Sequence, residues 1–133
     1  MTASDVEVIR GIYDAFARAD IGAVLGAMAP DIVWREADNH PYADGNPYVG
    51  PDAVLQGVFA RLGTEWDGFA VSVDEFVGAH DKVVAIGRYT GTNRRTGKRL
   101  NAQVVHVWTV DNGKAAGFQQ YTDTHQFVRT MEA

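Results

Sequence analysis

The stretch VVHVWTVDNGKAAGFQQYTDT, Val104–Thr124, decides how the chain folds. Two runs rich in β-branched and aromatic residues flank Asn112-Gly113. An Asn-Gly pair between such runs is a strong signal for a two-residue β-hairpin turn, because both central residues must take positive φ. Such a turn pairs Asp111 with Lys114. Counting back puts Val105 opposite Gln120 and Gln103 opposite Thr122. Side chains alternate along a strand, so this count also assigns the faces, and a slip of one residue swaps them.

Working outward, KVVAIGRYTGT (Lys82–Thr92) and FAVSVDEFVG (Phe69–Gly78) flank the tight turn AHD (Ala79–Asp81). The turn around Arg95 and Thr96 sets Arg88 near Gln103. One face of the resulting meander then carries Val84, Ile86, Arg88, Gln103, Val105, Val107, Phe118, Gln120 and Thr122. The other carries Tyr89, Val104, His106, Trp108, Gln119, Tyr121 and Asp123. The first has apolar walls with a few converging polar groups, the composition of a small-molecule pocket. The second mixes aromatic and polar residues, as protein interfaces do. Helices are expected over the first face. A homodimer is expected through the second, on His106, Trp108 and Tyr121.

Upstream the periodicity changes to helical. Ser4 and Glu7 in SDVE form a capping box, and Val6, Ile9, Tyr13 and Phe16 make one stripe. Asp20 caps a short helix, IGAVLGAM, that stops at Pro30. DIVWREA (Asp31–Ala37) is a strand, and DNHPYADGNPYVGP (Asp38–Pro51) is a loop. Asp52 to Leu62 is a third helix. The fold class is α+β: three N-terminal helices packed on a curved antiparallel sheet, as one domain spanning 1–133.

Composition narrows the function. The net charge of −5 argues against nucleic acid as a partner, since phosphate binding needs a positive field. Arg94, Arg95, Lys98 and Arg99 surround a turn and read as a solvated hairpin tip. No apolar run approaches membrane-spanning length, and the N-terminus lacks the build of a signal peptide. With no cysteine, the chain offers no disulfide, thiol nucleophile or thiolate metal site, and a cytoplasmic location is expected. The histidines show no metal-ligand spacing, neither serine sits in a nucleophile elbow, and there is no glycine-rich phosphate loop. Neither metal nor cofactor is expected.

ADIGAVLGAMAPDIVWREA (Ala19–Ala37), the helix start GPDAV (Gly50–Val54) and the closing meander together resemble the SnoaL-like branch of the NTF2-like superfamily. The resemblance covers nearly the whole chain. It implies a cone of curved sheet and helices around a pocket, often dimeric, in a group that includes ketosteroid isomerases, polyketide cyclases and limonene-type epoxide hydrolases. Fold of this kind does not fix the reaction. The resemblance places Glu36 where ketosteroid isomerases keep their general-base aspartate. Their oxyanion-hole tyrosine falls at Ile12, beside Tyr13, and their hydrogen-bond-donating aspartate at Val105. The last-strand aspartate of the cyclases falls at Gln120.

Glu36, two residues after Trp34, shares its face. A carboxylate held in an apolar cone has its charged form disfavoured, which would make it a base poised for proton chemistry; the alternative is a structural ion pair with Arg35 or Arg88. Arg88 offers a planar fork for a carboxylate, phosphate or enolate oxygen, or pairs with Glu75 or Glu36. Gln103, Gln120 and Thr122 orient a ligand or satisfy one another. Tyr13 reaches the pocket rim or packs in the core, and Trp34, Val105 and Phe118 wall the site, with Phe59 as lid or core. Asp123 enters the pocket only if a bulge follows Gln120; otherwise it caps the C-terminal segment. Asp38, His40 and Asp44 are explained by turn chemistry. Two functions follow: a cofactor-independent isomerase, cyclase or hydrolase with Glu36 as base and Arg88 as second catalytic group, acting on a small apolar molecule with a polar or anionic group, or a non-catalytic binding module for a small hydrophobic ligand.

Overall fold

A computed structural model describes residues 2–133, with side chains from Asp5 on. The capping role read for Ser4 rests on a side chain outside those described. Helix α1 (Thr2–Ala17) is followed by α2 (Ile21–Gly26), β1 (Met28–Arg35), a single 3-10 turn (Pro41–Gly45) and β2 (Tyr48–Val49). The next helix starts as α3 (Pro51–Val54), widens through a π segment (Leu55–Phe59) and ends as α4 (Ala60–Glu65). The meander β3 (Trp66–Ala79), β4 (Lys82–Asn93), β5 (Arg99–Asp111) and β6 (Lys114–Thr122) follows, and α5 (Thr124–Met131) closes the chain.

Each start and stop has a local cause. Asp20 caps α2 by accepting the Ala23 N–H at 3.1 Å. Gly50, at φ 89°, turns the chain into Pro51, whose fixed φ suits a first helical position. On α1, Ile9, Ile12 and Ala15 are buried, with Tyr13 and Phe16 packed beside them.

The sheet has six strands in the order β2-β1-β6-β5-β4-β3. Every neighbouring pair is antiparallel except β1 and β6, which run parallel. The sheet is thus wider than the meander alone, because β1 and the short β2 extend it past β6. The helices cover one face, where the core gathers around Ile9, Ile32, Trp34, Trp108 and Phe118. A second cluster, around Trp66, Tyr89, Leu100 and Phe127, seats α5.

The register corrects one expectation. Arg88 does pair with Gln103. Asp111 pairs with Lys114 and Val110 with Ala115, but Thr109 then pairs with Gly117, so Ala116 is an extra residue on β6. From that bulge onward the phase changes: His106, not Val105, opposes Gln120, and Val104, not Gln103, opposes Thr122. Tyr89, His106 and Trp108 therefore share the buried face with Phe118 and Gln120. His106 and Trp108 are inside the protomer and cannot form a dimer face. No described helix is long and apolar enough to cross a membrane.

Candidate functional site

The helices, the His40 loop and the curved sheet line a partly open void of about 50 Å³. That is room for a few water-sized groups, so a larger occupant requires the walls to move. Most of the wall is aromatic. Trp34 stacks on Phe118 with ring centroids 3.6 Å apart, and both Phe59 and Trp108 meet Trp34 edge-on at 5.6 Å. Glu36, His40, His106, Gln120 and the phenols of Tyr13 and Tyr89 supply its polar groups.

Glu36 is positioned by backbone pins on both sides. Asn46 from the loop accepts the Glu36 N–H at 2.9 Å and donates to the Glu36 carbonyl at 2.8 Å. The next residue, Ala37, donates its N–H to Gln120 Oε1 at 3.1 Å. The alternation that buries Ile32 and Trp34 continues past the strand end, leaving Glu36 only 2 % exposed. Its Oε2 accepts the Trp34 indole N–H at 3.0 Å. Among the described residues it has no other side-chain hydrogen bond and no salt bridge. Burial raises its pKa to about 7, outweighing the Trp34 hydrogen bond and the field of Arg61, which pull the other way. The ion pair with Arg35 or Arg88 is not formed.

Next to this carboxyl lies a chain of neutral groups. Tyr13 Oη is 2.5 Å from His106 Nδ1, and Tyr89 Oη is 2.5 Å from His106 Nε2. Trp108 donates to Tyr13 at 2.9 Å, and Gln120 donates to Tyr89 at 2.9 Å. Burial lowers the His106 pKa to about 3 and raises both phenols well above the usual tyrosine range. His40 Nδ1 accepts the Tyr42 backbone N–H at 2.9 Å, which places the proton of its neutral ring on Nε2. Its pKa falls to about 4, chiefly through burial.

The loop that carries His40 is fastened to α4. Tyr42 donates to Glu65 at 2.5 Å and accepts from Trp66 at 3.0 Å. Arg61 lies 4.2 Å from the Tyr42 ring centre and pairs with Asp44 at 2.8 Å.

Of the residues singled out from the sequence, Glu36, Tyr13, Trp34, Phe59, Phe118 and Gln120 meet in the cavity wall. The others do not. Arg88 is exposed on the outer face, its Nε donating to Asn101 at 2.7 Å. Gln103 is exposed beside it, and Val105 is half-buried on that same face. Thr122 donates to the Gln103 carbonyl at 2.6 Å, and Asp123 caps α5 by accepting the Gln126 N–H at 3.2 Å. One cause moves Val105 out and brings His106 and Trp108 in, namely the bulge at Ala116. The signal for it was the Ala115-Ala116-Gly117 run, since a glycine inside a strand marks a bulge or a close approach. An added Cβ on Gly117 would stand 3.2 Å from Thr109.

The SnoaL-like domain model matches residues 9–118. The chain belongs to the SnoaL-like domain family. A crystal structure of an NTF2-like protein from Burkholderia thailandensis is similar at 40% identity and a TM-score of 0.92, covering 97% of this chain and 98% of that one. TerC, co-crystallised with polyporic acid, is similar at 28% identity and a TM-score of 0.87, covering 98% and 99%. Patulin biosynthesis cluster protein F of Penicillium expansum is 38% identical over 60 residues, which is 45% of this chain and 30% of that protein. This SnoaL-like chain thus shares its whole fold with the first two and under a third of the length of the last.

Proposed function

We propose that the cavity is the site of a cofactor-independent proton transfer, an isomerisation, cyclisation or hydrolysis, with Glu36 as general base and a small, largely apolar molecule bearing a polar or anionic group as substrate. One observation carries this reading: Glu36 is buried in an aromatic cavity without an ion-pair partner among the described residues. A buried carboxyl with a pKa near 7 is poised both to accept and to return a proton near neutral pH. The relatives support an organic molecule as occupant, since TerC was crystallised with polyporic acid and the fungal relative is named for patulin biosynthesis. The proposed setting is the cytoplasm.

The test is a carbon-detected NMR titration of the Glu36 carboxyl, assigned with Glu36→Gln. The expected midpoint is about 7. A midpoint at or below the ordinary 4.5 would leave a non-catalytic binding module for a small hydrophobic ligand, without proton chemistry.

We further propose that the chain forms a homodimer through its outer sheet face. That face carries Val84, Ile86, Val105 and Val107, half-buried, and Tyr121, 56% exposed. Val77, 46% exposed, extends it opposite Val84. Tyr121→Asp is expected to lower the sedimentation coefficient of a dimer to that of a monomer; an unchanged dimer removes this face from consideration.

A further inference from the structure

The polar end of the cavity carries a proton count that the base alone does not use. His106 stands between two phenols, and each phenol oxygen already receives another donor. Trp108 Nε1, which can only donate, reaches Tyr13 at 2.9 Å. Gln120 has its amide oriented by the Ala37 N–H, which its Oε1 accepts, so its Nε2 faces Tyr89 and donates at 2.9 Å. Burial keeps the His106 ring neutral. A neutral imidazole has one N–H and one lone pair.

The count closes in two ways. With the proton on Nε2, His106 donates to Tyr89, Tyr13 donates to Nδ1, and Tyr89 accepts two hydrogen bonds while its own O–H stays uncommitted. With the proton on Nδ1, the roles exchange: Tyr89 donates to Nε2, and the O–H of Tyr13 stays uncommitted. In both states one phenolic O–H has no acceptor among the described residues, and both phenols line the cavity.

We propose that Tyr13, His106 and Tyr89 form an alternating donor, in which the tautomer of His106 selects the phenol that offers its O–H to an acceptor oxygen of the ligand. The ligand class is a planar aromatic or apolar molecule carrying a carbonyl, phenolate or enolate oxygen, which the aromatic walls and the single donor suit together. His106 is a positioning residue; the two tyrosines touch the ligand. The proposal rests on the cavity being a small-molecule site, as inferred above, but not on Glu36 acting as base. The titration of Glu36 and the tautomer of His106 can each fail without the other.

The experiment reads the protonation of both His106 ring nitrogens by long-range 1H–15N correlation on the full chain. Tyr13→Phe, Tyr89→Phe and the double variant each remove only hydroxyl oxygens. With Tyr13→Phe the proton is expected on Nε2, since a proton on Nδ1 would be buried without an acceptor. With Tyr89→Phe it is expected on Nδ1 for the same reason. Binding of 4-nitrophenol, followed by its phenolate absorbance, is the second readout. Each single variant should stay within about threefold of wild type, and the double variant should lose about tenfold or more, the loss due to one hydrogen bond to a charged oxygen. The same nitrogen protonated in both single variants overturns the proposal. So does a doubly protonated ring at neutral pH, a single variant as weak as the double, or no saturable binding to wild type. If the double variant does not fold, the tautomers of the two single variants decide.

Discussion

Replacing Glu36 with Gln keeps the side chain's shape and removes its charge, so it isolates what the buried carboxyl does to stability. The folded chain holds the Glu36 proton up to about pH 7, against 4.5 for an ordinary glutamate. At about 1.36 kcal/mol for each pH unit, that difference amounts to about 3 kcal/mol. The sign follows from which state binds the proton more tightly. Below about pH 4.5 both the folded and unfolded forms are protonated, and the folded state bears no charge penalty. Between pH 4.5 and 7 the unfolded chain ionises while the folded one stays protonated, so stability is lost until the folded carboxyl also ionises near pH 7. Wild type should therefore fall relative to Glu36→Gln by about 3 kcal/mol between pH 4.5 and 8, with most of the change below pH 7. The assay is urea unfolding followed by tryptophan fluorescence on both proteins across that range. Subtracting the two curves isolates the contribution of the Glu36 carboxyl. A difference that is flat with pH would refute the reasoning, because it would mean that Glu36 ionises as readily in the fold as in water.

On the acid side the buried histidines act in the opposite sense. The pKa of His106 is lowered to about 3 and that of His40 to about 4, from 6.5, so the stability they contribute is complete above pH 6.5 and lost as the pH falls through about 4 for His40 and about 3 for His106. Melting temperatures of wild type and His40→Asn should converge as the pH drops from 6.5 to 4; parallel curves would count against a neutral, buried His40. Gly87→Ala should be severe, because its Cβ would stand 1.9 Å from the Ser72 carbonyl oxygen, with backbone on the neighbouring strand unable to yield cheaply. A loss of about 1–3 kcal/mol or more in urea unfolding is expected. Gly63→Ala, in α4 with open space around its Cβ, should instead be neutral or stabilising by about 0.5–1 kcal/mol.

What the sequence disclosed about the site follows how local each signal is. Glu36 was legible because the spacing from Trp34 needs only the pleat of one strand. Trp34, Phe59 and Phe118 were legible as apolar residues in periodic runs. The Tyr13–His106–Tyr89 chain was not, since it joins α1, β4 and β5 across long stretches of chain. Arg88 misled for the complementary reason: its strand pairing with Gln103 was read correctly, and the face was not.

By itself, then, the sequence determined the elements: the stripe of α1, the cap of α2, the Asn112-Gly113 turn and the order of helices before meander. These depend on residues within a few positions of one another, where propensity and pattern act directly. Only the tertiary structure decided which side of β5 faces inward. One extra backbone residue, Ala116, reverses that choice with little local signature, because strand side chains have a period of two. Burying Trp108 against Trp34 and Phe118, and completing the hydrogen bonds of His106 with two phenols, favours the bulged register. Those contacts exist only once β1, β5, β6 and α1 have come together.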